Sequence, residues 1–214
     1  MSVVAGLVLA AGAGRRFGGP KAVVEIDGER LVDRAVRALI EGGATPAYVV
    51  SGAVAVDVPG ATVVANPDWE EGIGSSLRAG LDALPEDAVA GLVLLVDQPG
   101  LTAEAVARVV ALAHGPSVVV AATYDGAWGH PVALGRDHWA AVVRLAVGDR
   151  GARPFLDAHP ELVTLVECGD VATAADVDRP SDLDRFNSQT ALLGETAGAE
   201  PGHQRELGQG GHQQ

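Results

Sequence analysis

The chain has 214 residues, 48% of them hydrophobic and 20% charged, with a formal net charge of −13 at pH 7. This is room for one good-sized domain with a large core, which excludes wholesale disorder. The acidic balance argues against a nucleic-acid partner, because a phosphate backbone would be repelled everywhere but at a local basic patch. One cysteine, Cys168, forbids an intramolecular disulfide and a cysteine-built metal cage. The opening Met1-Ser2-Val3-Val4 lacks the positive start of a secretory leader. No apolar run approaches about 18 residues, so a cytoplasmic protein without membrane spans is expected.

In chain order, Val3 to Leu9 is a β-branched apolar run that feeds the glycine-lined segment Ala10-Ala11-Gly12-Ala13-Gly14, a buried strand followed by a loop. Val23 to Ile26 reads as a short strand closed by the turn signal Asp27-Gly28. Arg30 to Glu41 is an amphipathic helix stopped by Gly42-Gly43, and Ala47–Val50 and Ala61–Val64 are strands. Gly74 to Leu84 is a helix entered through Ser75-Ser76, and Gly91 to Val96 is a strongly apolar strand running into Asp97. Thr102 caps a helix reaching His114. Val118–Ala122 and Pro131–Leu134 are strands, and Arg136–Leu145 and Ala152–Ala158 are helical. Leu162–Val166 is a late strand, and Pro180–Phe186 is a last short helix with proline in its first turn. This alternation builds βαβ units and a mostly parallel sheet covered on both faces. Residues 1–188 form one α/β domain, and 189–214, dominated by Gly, Gln, Glu and His, read as a disordered tail.

Four segments carry chemistry. The first is the loop after the opening strand. Its Gly12-Ala13-Gly14 fails the dinucleotide fingerprint because Phe17 stands where the third glycine belongs, and Pro20-Lys21 does not complete a P-loop. What remains is backbone N–H groups with Arg15, Arg16 and Lys21, the only lysine beside fourteen arginines. That set suits a polyphosphate or, more simply, is a tight loop with solvated cations. The second is Asp97 before Gln98-Pro99, a hard oxygen ligand for a Mg²⁺-nucleotide or a turn cap. The third is Asp176-Val177-Asp178-Arg179-Pro180-Ser181-Asp182, where Asp182 suits a helix cap and Asp178 suits a cap or a second metal ligand. The fourth joins Asn66 to Gly72-Ile73-Gly74-Ser75-Ser76, a helix start that serves an anion or base, or only caps itself. His130 in Gly129-His130-Pro131, and Arg150 and Arg153 in Gly148-Asp149-Arg150-Gly151-Ala152-Arg153, are candidates for contact with an anionic acceptor, or face water. His203 and His212 are too sparse for a metal site, and nothing near Cys168 suggests an activated thiol.

Together, Leu9-Ala10-Ala11-Gly12-x-Gly14-x-Arg16-x-Gly18-x-Pro20-Lys21, Asn66 to Leu81, Val96-Asp97-Gln98-Pro99, Gly129-His130-Pro131-Val132, Gly148 to Arg153 and Asp176 to Leu183 resemble the MobA-like nucleotidyltransferases. The resemblance is closest to the molybdenum cofactor cytidylyltransferases and spans roughly residues 3 to 187. It implies a single Rossmann-like domain with a mixed, mostly parallel sheet, and attack by a terminal phosphate on the α-phosphorus of an NTP with release of pyrophosphate. It implies that Arg16 and Lys21 hold the triphosphate, and that Asp97 binds Mg²⁺ with Asp178, or failing that Asp176, as second ligand. It also implies nucleotide contacts along Leu9, Ala10, Ala11, Gly12, Gly14 and Arg15, and at Asn66, Gly72, Ser75 and Ser76. The opening reads Ala-Ala-Gly in the cytidylyl branch and Ala-Gly-Gly in the guanylyl branch, so Ala10-Ala11-Gly12 favours CTP. The implied acceptor is a molybdopterin-type cofactor, with a molybdenum hydroxylase as possible recipient. A sugar phosphate, methylerythritol phosphate or phospholactate keeps the same chemistry, and a non-catalytic cofactor carrier is the alternative of a different class.

Overall fold

The structure, a computed structural model, describes residues 2–186. Its centre is a seven-stranded sheet built from β1 (Val3–Leu9), β4 (Ala47–Ser51), β5 (Ala61–Ala65), β6 (Ala88–Leu95), β7 (Val119–Tyr124), β8 (Ala127–Gly135) and β9 (Val163–Glu167). Strand order is β5-β4-β1-β6-β8-β7-β9, and every pairing is parallel except the two made by β8. A separate hairpin joins β2 (Glu25–Ile26) to β3 (Glu29–Arg30) through Asp27 at φ 54° and Gly28 at φ 77°. Two positive φ values in a row are what a two-residue hairpin turn demands, so Asp-Gly is the natural pair there.

The alternation of apolar side chains along each strand fills two cores. On one face, Val4 and Val8 of β1 and Leu92 and Leu94 of β6 meet Val32, Val36 and Leu39 of α1 (Leu31–Glu41) and Val106 and Val109 of α3 (Ala103–Val110). On the other, Leu7 and Leu9 meet Leu77 and Leu81 of α2 (Ile73–Ala83), Trp139 and Val142 of α4 (Trp139–Leu145), and Phe155 and Leu156 of α5 (Arg153–Ala158). Thr102 caps α3 as its sequence suggests, accepting from the Ala105 N–H at 3.2 Å. The layers are therefore helix, sheet, helix, the mostly parallel Rossmann-like arrangement expected.

Three local departures have physical causes. The strand expected at 23–26 shrinks to two residues because Lys21–Val23 closes a 3₁₀ turn. The strand expected only at 131–134 is nine residues long, since a register shift at Ala121/Ala122 pairs Ala121 with Val132 and Ala122 with Gly129. His130 and Pro131 bulge out of that ladder, so proline's missing donor does no harm there. The last helix begins with the 3₁₀ turn Pro180–Asp182, where the Asp182 carboxylate accepts from the N–H groups of Asp178 and Arg179 at 2.9 and 2.8 Å, a capping role. The tail expected at 189–214 lies outside the described residues.

Topology places the site. From β1 the chain runs outward through β4 and β5, then crosses back to lay β6 on the other side of β1. At such a reversal the loops leaving two neighbouring parallel strands diverge and open a crevice beyond their carboxyl ends. Leu9 pairs with Leu95, so the glycine loop and Asp97 leave the sheet side by side.

Candidate functional site

The crevice is a cleft of about 530 Å³. Leu9, Ala11, Gly12, Ala13, Gly14, Arg15, Arg16 and Lys21 form one wall; Gly72, Ile73 and Ser76 of the α2 start form another, with Trp69 and Glu70; Asp97, Asp149 and Asp178 complete it. The glycine loop folds on a single carbonyl: Gly14 O accepts from the N–H groups of Phe17, Gly18 and Gly19 at 2.9, 2.9 and 3.2 Å. Gly14 holds φ 61°, and a Cβ there would lie 1.9 Å from Gly19 O, so no other residue closes this turn. Gly12 has nothing within 4 Å of such a Cβ, leaving its backbone bare to the cleft.

At the mouth, four charged side chains converge. Lys21 Nζ donates to Asp97 Oδ2 at 2.9 Å and to Asp178 Oδ1 at 2.9 Å. Arg16 Nη1 lies 3.0 Å from Asp178 Oδ2. Burial alone would lower the Lys21 ammonium, but its hydrogen bonds to the two carboxylates outweigh that and hold it above its ordinary value. The Lys21 hydrogen bond, with the added charge of Arg16, keeps the Asp178 carboxyl below the usual range. Asp178 is brought here by a backbone tie, Val177 N–H to Asp97 O at 2.8 Å. Asp176 points elsewhere: it accepts from Gln98 Nε2 at 2.8 Å and lines a second cleft, and burial beside Asp97 and Asp178 raises its pKa.

The α2 start is built by its neighbours. Asn66 is buried, its Nδ2 donating to Ser75 Oγ at 2.9 Å and Ser76 Oγ at 3.1 Å while its Oδ1 accepts from the Asp68 N–H at 3.0 Å. Ser75 turns inward to donate to the carbonyls of Asp68 and Gly72, each 2.8 Å away. Asn66, Ser75 and Ala10 thus stand behind the cleft wall rather than in it, whereas Leu9, Ala11, Gly12, Gly14, Arg15, Arg16, Lys21, Gly72, Ser76 and Asp97 line it. Gly72 (φ 103°) and Gly74 are required because the 146–149 segment lies on them: added Cβ atoms would sit 2.6 Å from Asp149 Oδ1 and 2.3 Å from Ala146 O. Trp69, Glu70 and Asp149 lie within segments that the sequence marks but does not single out, and the structure places all three on the wall of this cleft. Trp69 had a signal in hand, an aromatic three residues after Asn66 and just before the glycine run.

The second cleft, about 380 Å³, adjoins the first and shares Leu9, Ile73, Leu95 and Asp149 with it. His130, Arg150 and Arg153 all line it, with Trp128, Gln98 and Asp176. Arg153 is held by Asp157 at 2.8 Å and lies 5.5 Å from the centroid of the Trp128 ring. Burial pushes the His130 imidazole down to about 4, so it is neutral near pH 7.

No group of three or more His, Cys, Asp or Glu gathers to hold a metal among the described residues. The protein offers two hard carboxylates, Asp97 and Asp178, whose oxygens both touch one nitrogen. A pair of this kind fits a Mg²⁺ ion that completes its octahedron with phosphate oxygens and water, as that ion does beside nucleotides.

Fold and site define an α/β protein of the nucleotide-handling kind, with two adjoining clefts at the switch point of the sheet. The MobA-like NTP transferase domain matches residues 6–163, and the chain belongs to that family. It is 38% identical over 197 residues to the nicotine blue oxidoreductase of Paenarthrobacter nicotinovorans, covering 86% of this chain and 96% of that one. It is 32% identical over 145 residues to the molybdenum cofactor guanylyltransferase of Rhodobacter capsulatus, covering 65% and 67%. Among solved structures, a nucleotidyl transferase from Methanothermobacter thermautotrophicus superposes with a TM-score of 0.74 at 20% identity, over 90% of this chain and 100% of that one. Among the described residues no helix is long and apolar enough to cross a membrane.

Proposed function

We propose that the protein is a Mg²⁺-dependent cytidylyltransferase that moves CMP from CTP to a phosphorylated acceptor, most consistent with a molybdopterin-type cofactor, releasing pyrophosphate. The observation that carries this reading is the convergence of Arg16, Lys21, Asp97 and Asp178 at the mouth of one cleft with a second, arginine-lined cleft beside it. The acceptor's phosphate oxygen attacks the α-phosphorus and the bond to the β-phosphate oxygen breaks. Such transfer needs positioning and charge neutralisation rather than a strong base, since the attacking phosphate is already ionised. The N–H groups of the Gly12–Arg16 loop and the Arg16 and Lys21 cations take the triphosphate. Arg150 and Arg153 hold the acceptor's anionic end, and neutral His130 serves as a hydrogen-bonding group. Asp97 and Asp178 would hold the Mg²⁺, whose contribution is to neutralise charge on the phosphates and align them.

The base preference rests on Ala11, a buried residue of the cleft wall beside Gly52. What it implies comes from the resemblance, since Ala10-Ala11-Gly12 follows the Ala-Ala-Gly opening of the cytidylyl branch where the guanylyl branch has Ala-Gly-Gly. The test is pyrophosphate release with CTP, GTP or ATP, Mg²⁺, and molybdopterin-type cofactor present or absent. Release with CTP that depends on the cofactor supports the whole reading. Release with GTP alone moves the base, and release that needs a sugar phosphate or phospholactate moves the acceptor. Delivery of the product to a molybdenum hydroxylase, in the cytoplasm, belongs to the same reading and is tested by co-purification.

A second reading comes from the oxidoreductase relative, which matches over almost its whole length. The same adjoining clefts would seat a dinucleotide and, against Trp128, a planar conjugated acceptor that takes a hydride. Oxidation of NADH or NADPH in the presence of a quinoid dye, with no pyrophosphate released from any NTP, would favour it.

A further inference from the structure

We propose that Lys21 is a built-in counter-ion that closes the metal ligands to a divalent cation until a nucleotide triphosphate draws it away. The inference rests on the proposed function for the identity of the two ligands. Its structural basis is a conflict over the same atoms. Lys21 Nζ sits 2.9 Å from an oxygen of each carboxylate, and its side chain is only 13% exposed. A divalent cation bound to those oxygens and an ammonium at hydrogen-bond distance from both compete for the same lone pairs, and their like charges repel at that separation. Among the groups in direct contact the charges already balance, with two carboxylates, Asp97 and Asp178, against two cations, Lys21 and Arg16. A metal arriving alone must displace a satisfied ammonium.

A triphosphate changes that balance. Its oxygens offer Lys21 and Arg16 new partners on the glycine loop, and the lysine stem already lies along that loop: a Cβ at Gly14 would come within 3.5 Å of Lys21 Cγ. Turning Nζ from the carboxylates to the phosphates needs only rotation of a flexible four-carbon side chain. Arg16, 77% exposed, is free to follow. Asp97 and Asp178 then stand unpaired and take the cation that travels with the nucleotide. Metal and triphosphate therefore assist each other's binding, and the coupling is reciprocal.

Lys21 is the only lysine in the chain, so lysine labelled with ¹³C at Cε and ¹⁵N at Nζ reports a single side chain. In the wild-type protein with chelator present, CTP alone should shift that resonance, and Mg²⁺ alone at millimolar concentration should leave it in place. Mn²⁺ binding without nucleotide, followed by electron paramagnetic resonance, should be at least about tenfold tighter in Lys21→Met than in wild type, since the competing ammonium is gone. Asp97→Asn with Asp178→Asn should abolish it. Equal Mn²⁺ affinity in wild type and Lys21→Met, or a lysine signal that follows Mg²⁺ and ignores CTP, overturns the inference. The labelled wild-type measurement stands even if Lys21→Met fails to fold. A failure to find any acceptor touches neither readout, so the loss of this inference and the loss of the proposed reaction are separate results.

Discussion

Replacing Gly14 by alanine isolates what the first loop contributes. The residue sits at φ 61°, where an alanine costs about 1–2 kcal/mol relative to glycine. Its new methyl would lie 1.9 Å from Gly19 O, a backbone atom that cannot swing aside, so the loop must open. Opening releases the three N–H donors gathered on Gly14 O, each worth about 0.5 kcal/mol in so exposed a turn. The loop therefore loses about 2–4 kcal/mol. Of residues 14–19 only Phe17, partly buried, packs against a core, so most of that loss stays local and the melting temperature should move by no more than about 3 °C. Nucleotide affinity, which depends on the loop being closed, should fall about 10- to 100-fold by isothermal titration with CTP and Mg²⁺. Gly12→Ala is the matched control, since its methyl meets nothing within 4 Å and should leave the melting temperature unchanged while crowding the nucleotide. A Gly14→Ala protein that bound CTP within twofold of wild type would refute the claim that this turn shapes the donor cleft.

Asp97→Asn keeps shape and removes charge; turnover should fall about 10²- to 10³-fold with the fold intact by circular dichroism, and near-normal turnover would remove Asp97 from the site. Arg153→Ala should raise KM for the acceptor while leaving that for CTP within about twofold, as expected of a residue lining only the second cleft. Trp139 is buried and its Nε1 donates to Leu134 O at 2.8 Å, so Trp139→Ala should cost about 3–5 kcal/mol in urea denaturation. His130 titrates near 4 in the folded chain against an ordinary 6.5, so protons bind the unfolded chain preferentially between those values. Stability should then be full above pH 6.5 and decline as pH falls toward 4, and His130→Gln should flatten that decline in thermal melts; coincident profiles would show that the imidazole is not responsible.

The elements that the sequence declares most clearly are those whose residues answer to one demand. Val3–Leu9 and the run into Asp97 are apolar on both sides because the sheet is covered on both faces, and their boundaries are readable to within a residue or so at the site end. β8 was legible only in part, since Gly129 and Pro131 are ordinary breakers until a bulge two strands' width from the loop makes room for them. That bulge is a tertiary fact. The site divides in the same way. Lys21 and Asp97 stand out as single residues, but the partition of Asp176 from Asp178 depends on the Val177–Asp97 tie, and Asn66 and Ser75 show their inward-facing hydrogen bonds only once the helix start is assembled. Asp149 stands in a charged segment that the sequence marks, but its place in the first cleft is not readable there, because it reaches Gly72 from some 75 residues further along the chain.

The sharing of only Leu9, Ile73, Leu95 and Asp149 between the two clefts gives the molecule a division of labour along its own chain. Residues lining the first cleft alone come before position 98, apart from Asp178, while most of those lining the second alone come from 121 to 156. Changes in that later stretch, outside the 146–149 segment that packs on Gly72 and Gly74, can recast the shape and charge of one chamber without disturbing the loop, Lys21, Asp97 or Asp178 of the other. The second chamber is thus reshaped mainly from one later stretch of the chain, while the first keeps its loop and its charged cluster.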